Sequence, residues 1–75
     1  MDNETQLEIF RHNTRFLRRS LNLSKAYTAQ RLGISIASLN KLESSGAFPN
    51  IPITTILRAS TLFGIPAPTL LSKKL

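Results

Sequence analysis

Apolar residues return along this chain at intervals of three and four. From about Thr5 to Leu21, the side chains of Leu7, Phe10, Leu17 and Leu21 share one helical face, and Thr14 fills the gap in the stripe. Arg11, Arg15, Arg18 and Arg19 decorate the other faces. Asn22, which tolerates a left-handed backbone, marks the end of this first helix. Ser24 is an N-cap by residue type and opens a second helix, Lys25 to about Leu32. Gly33 follows the last periodic residue, where a left-handed conformation costs least. Ser35 caps a third helix from Ile36 to about Ser44, with Leu39 and Leu42 facing inward. Residues 44–52 read as a loop by composition, with Phe48 and Ile51 tucked against the core. A fourth helix, about Ile53 to Phe63, is expected to bury Ile53, Ile56, Leu57, Ser60 and Phe63, and Gly64 ends it. A short fifth helix, roughly Ala67 to Lys73, offers Leu70 and Leu71. Nothing reads as a strand. The pattern predicts an all-α fold, a compact five-helix bundle in one domain over 1–75, with residues 1–5 as a flexible tail.

The second and third helices are joined by three residues with a glycine in the turn, which is the signature of a helix-turn-helix. Each position of the spacing has a physical reason. Ala29 is small, so two helix axes can approach closely. Gly33 permits the turn's backbone angle. Leu39 and Leu42 anchor the second helix of the pair to the core and leave its other face for a partner.

Charge sharpens this picture. Ten Lys and Arg stand against four acids, a formal net charge of +6. Three of those acids are Asp2, Glu4 and Glu8; from residue 9 onward Glu43 stands alone against all ten cations, a net of +9. Such a body attracts a polyanion, and nucleic acid is the commonest one. Without cysteine there are no disulfides and no thiolate metal sites. Polar residues interrupt every apolar stretch, so no membrane span is expected, and the acidic N-terminus lacks the order of a signal peptide. A cytoplasmic location follows as the expectation. No Gly-rich phosphate loop or metal-ligand spacing occurs, and His12, the single histidine, reads as a surface residue beside arginines. An enzyme is not expected, nor a cofactor or metal.

Beyond the motif, the chain resembles the Cro/phage-repressor (Xre-like) helix-turn-helix family of bacterial and phage DNA-binding regulators, over about residues 9 to 71. The matching residues, in order, are Phe10, Asn13, Leu17-Arg18, Leu23-Ser24, Ala29, Gly33, Leu42-Glu43, Gly64-Ile65 and Leu70. The resemblance implies a lambda-repressor-like domain and a repressor of transcription that dimerises on near-palindromic double-stranded DNA. It also implies a structural ion pair between Arg18 and Glu43 beneath the motif. Its departures are Thr28, where relatives carry a core Leu, and Ser60, where they carry Ala. Thr28 either weakens the core or bonds backwards along its helix.

In that family the start of the third helix faces base edges, which implies base contacts from Ile36 and Ala37, and from Lys41 with Asn40 beside it. Ile36 and Ala37 cannot hydrogen-bond a base, but they can pack on thymine methyl groups. Ile36 as a buried helix-start residue is the competing reading. Asn40 suits adenine and Lys41 guanine. Phosphates are expected at the second helix's N-terminus, from Ser24 and Lys25, and near Ser35 and Ser38. The resemblance adds Asn13, Ser45 and Gly46 as backbone contacts. Arg31 reads as a solvated charge. With the chain ending soon after the fifth helix, a dimer is expected to use this domain's own surface, through Leu70, Leu71 and Leu75.

Two other readings remain open on the sequence. One is a protein-interaction module on the same fold, such as an antitoxin or a repressor-binding partner, using the apolar opening Ile36-Ala37 or the C-terminal leucines. The other is a basic helix lying on an anionic membrane surface, against which stands the use of the first helix's apolar stripe by the core.

Overall fold

A computed structural model describes residues 3–44 and 51–75, with side chains from Gln6 onward. Five helices run in the order α1 (Asn3–Ser20), α2 (Lys25–Leu32), α3 (Ile36–Glu43), α4 (Ile53–Phe63) and α5 (Ala67–Ser72), and no strand occurs among the described residues. Helix α1 begins at Asn3, so residues 3–5 are helical where the periodicity placed a tail.

The helix ends follow from their punctuation residues. Ser24 and Ser35 cap α2 and α3, accepting from the Tyr27 and Ser38 amides, each at 3.0 Å. Three helices close through a left-handed residue, namely Asn22 at φ 60°, Gly33 at φ 73° and Gly64 at φ 67°. At Gly33 the closure is doubled: its own amide donates to Gln30 O at 3.2 Å and the Ile34 amide to Ala29 O at 3.0 Å. That arrangement satisfies carbonyls that the helix end would leave free, and it sets the angle between α2 and α3.

The helices form a closed ring in which each packs on two neighbours: α1 on α5, α5 on α4, α4 on α2, α2 on α3, and α3 back on α1. Phe10, Ala29, Leu32, Leu39, Leu42, Ile56, Ala59 and Leu70 fill the centre. Burying a Leu or Phe side chain contributes about 1.5–3 kcal/mol, so this small cluster carries most of the apolar stabilisation.

Several expected core positions are elsewhere. Leu21 is 52% exposed, because α1 stops at Ser20 and the chain turns away at Asn22. Ile53 and Leu57 are 64% and 53% exposed. The face that α4 turns inward carries Thr55, Ile56 and Ala59, with Leu62 and Phe63 packed at its edge and Ser60 half-buried. Of the leucines expected at a dimer interface, Leu70 is fully buried and so belongs to the core, while Leu71 and Leu75 are partly buried and pack against it. Ile51 does pack against the core, whereas Phe48 lies outside the described residues.

Candidate nucleic-acid interface

Helix α3 is anchored from within by Leu39, Leu42 and Glu43, all buried. Its opposite face is set out in solvent: Ile36, Ala37, Asn40 and Lys41 are exposed, Ile36 by 48%. The competing assignment of Ile36 to the core therefore fails. Ile34, one residue before the cap, takes the core contact instead.

What fixes α3 in place is a two-pronged ion pair. Arg18 Nε donates to Glu43 Oε2 at 2.6 Å and Arg18 Nη2 to Glu43 Oε1 at 2.9 Å. The remaining guanidinium nitrogen, Nη1, donates to Leu23 O at 3.1 Å. One side chain of α1 thus holds the end of α3 and the turn before α2. Both partners are nearly buried, at 10% and 7% side-chain exposure, so the fork has little competition from water. Hydrogen bonding to Glu43 pushes the Arg18 pKa above the ordinary arginine range against an opposing desolvation, with the carboxylate charge adding to the rise. The guanidinium therefore stays charged throughout the ordinary pH range.

Lys25, the first residue of α2, donates from Nζ to Asn40 Oδ1 at 2.8 Å on the exposed surface. The structure so joins a residue expected at phosphate to one expected at a base edge, a link that no sequence spacing signalled. Ser35 Oγ is shared between the Ser38 amide and the Ser38 hydroxyl, at 3.0 Å each. Ser24 is likewise engaged as a cap. These three hydroxyls first serve helix ends.

Glu43 is consumed by Arg18, and Glu8 reaches only toward Arg11, at 3.9 Å. Two short helices at a glycine turn, the outer one standing free on a basic body, agree with one comparison. The sequence profile of the helix-turn-helix family, of the Cro/C1 type, matches residues 15–70. The chain belongs to the helix-turn-helix family. That family is one of DNA-binding regulatory domains rather than enzymes. No individual curated protein and no solved structure matches significantly.

As a helix-turn-helix domain, the chain requires one correction at the expected interface. Asn13 is fully buried and does not face DNA. Its Nδ2 donates to Leu70 O at 3.0 Å and Lys73 O at 2.8 Å, while its Oδ1 accepts from the Leu75 amide at 2.9 Å. The side chain closes α1 onto the end of α5. Asn13 precedes the matched residues 15–70, and its bonding assigns it to the fold. Ser45 and Gly46 lie outside the described residues. His12 is half-buried rather than a free surface residue, with Nε2 3.4 Å from Leu75 O and its ring stacked on Phe16 at 6.0 Å. Thr28 is fully buried, and its hydroxyl makes no backward bond: Oγ1 has no partner among the described residues. Among the described residues, no helix is long and apolar enough to cross a membrane.

Proposed function

We propose that this chain is a sequence-specific regulator of transcription, a repressor, that lays α3 in the major groove of double-stranded DNA. The observation that carries the proposal is the division of α3 into an anchored face and a free one. Leu39, Leu42 and Glu43 pin the helix, and Ile36, Ala37, Asn40 and Lys41 stand outward together. Apolar packing on thymine methyls from Ile36 and Ala37 then joins hydrogen bonding from Asn40 and Lys41. Lys25 and the N-termini of α2 and α3 orient the domain on phosphates. Because one such domain spans a half-site, the regulator works as a homodimer on a near-palindrome, with half-sites roughly 34 Å apart. Bacterial or phage cytoplasm is the setting that suits it.

Fluorescence anisotropy on duplexes selected from a random pool tests this reading. The expected result is tight binding whose log affinity falls linearly with log salt, by about 0.9 per phosphate contacted. Binding to no duplex at any salt, or an affinity that salt leaves unmoved, would overturn it. One observation favours a second reading, in which the free face of α3 meets protein: the apolar Ile36 stands 48% exposed at its tip. A flat salt response with no selected sequence would direct attention there.

A further inference from the structure

The seam between α2 and α4 carries a surface groove of about 560 Å³, lined by Tyr27, Gln30 and Arg31 from α2 and Leu57, Arg58 and Thr61 from α4. Its floor and its charge point the same way. Tyr27 and Leu57 are 45% and 53% exposed, a large apolar surface left in water. Arg31 and Arg58 are exposed and flank it. Neither takes part in an ion pair among the described residues, where Glu8 faces Arg11 and Glu43 faces Arg18. Arg58 lies over the end of α2, where a Cβ added at Gly33 would stand 3.3 Å from its guanidinium carbon.

We propose that this groove docks an acidic segment of a partner protein that carries at least one large apolar side chain. Carboxylates would meet Arg31 and Arg58, and the apolar group would lie between Tyr27 and Leu57. Charge complementarity selects this occupant. A second copy of this basic chain would bring its own cations to the two arginines. A phosphate backbone would use the arginines but gains nothing from an exposed tyrosine and leucine. The ring of helices adds a consequence that rests on the DNA-binding reading. Helix α2 packs on both α3 and α4, and the groove is lined by α2 and α4 with no residue of α3. Since α3 itself contributes nothing to the groove, partner and DNA are expected to bind together.

The test is selection of a random dodecapeptide display library on the full chain, with the double variant Arg31→Glu/Arg58→Glu as counter-target. Both arginines are exposed, and an unchanged thermal melt verifies that the variant folds. Selected peptides are expected to be rich in Asp and Glu around a Leu, Phe or Trp. They should lose about fivefold or more in affinity on either single charge reversal, and they should shift the amide signals of Tyr27, Gln30, Leu57 and Thr61. Selection without acidic enrichment, equal binding to the double variant, or shifts confined to α3 or α1 would overturn the proposal. So would a double variant that binds peptides unchanged but loses salt-dependent duplex binding, which would assign the arginines to phosphates. Repeating the titration on the duplex-bound protein tests simultaneous binding. Failure to bind any duplex would end the DNA-binding reading and leave the peptide result standing by itself.

Discussion

At Arg18 a single side chain makes three hydrogen bonds to two different parts of the fold. Removing it leaves Glu43 buried and unpaired, which costs about 3–5 kcal/mol. A chain of this length holds only roughly 4–11 kcal/mol in all, so Arg18→Ala is expected to lower the thermal midpoint severely in calorimetry. An unchanged midpoint would mean that the pair is solvated. Thr28 is the opposite case. Its buried hydroxyl has no partner among the described residues, so Thr28→Val removes a desolvated group and keeps the shape. A gain of about 1 kcal/mol in denaturant unfolding is expected. Lys25 and Asn40 concern specificity. With Oδ1 held by Lys25, the Asn40 amide offers its N–H donors, which suit guanine or a thymine carbonyl oxygen, rather than the two-atom pairing with adenine. Lys25→Met should alter base preference at one position of the selected site, and Lys25→Arg should alter it less. A uniform loss of affinity over all sequences, with a salt slope smaller by about 1, would make Lys25 a phosphate contact only.

The elements show why boundaries were readable and faces less so. Ends are set by local chemistry: Ser24, Ser35, Gly33 and Gly64 act within a few residues of themselves, and α2 and α4 have the limits their caps announce. Which face of α4 turns inward is not local. Ile53 and Leu57 fit an apolar stripe on paper, yet α4 must meet α2 and α5 at once, and Thr55, Ile56 and Ala59 answer both. The same applies to Asn13, which was expected at DNA and joins α1 to α5 instead. Asn13→Ala leaves two carbonyls and an amide without this partner, at a cost of about 1–3 kcal/mol each wherever water cannot replace it. Urea unfolding is expected to show the loss, and duplex affinity of the folded fraction to stay unchanged. A phosphate contact would give the reverse.

Over the whole molecule, the ring closes where α1 meets α5, between the two ends of the chain. Leu70 is fully buried in that closure, and Asn13 fastens it. A chain truncated after Gly64 is therefore expected to lose its cooperative thermal transition, as followed by circular dichroism. A sharp transition in the truncated chain would show that α5 is an appendage. Periodicity, caps and net charge are local or additive quantities, so the order of the helices, the turn of the helix-turn-helix motif and the basic charge were legible before folding, whereas the exposure of Ile36 on α3 was not. The sequence also paired Arg18 with Glu43, through resemblance to a family. It took the folded chain to reveal the bonding of Asn13, the full burial of Leu70, the link from Lys25 to Asn40, and the groove between α2 and α4. Each of these depends on which residues far apart in the chain come within a few ångströms, and no spacing along a single helix encodes that.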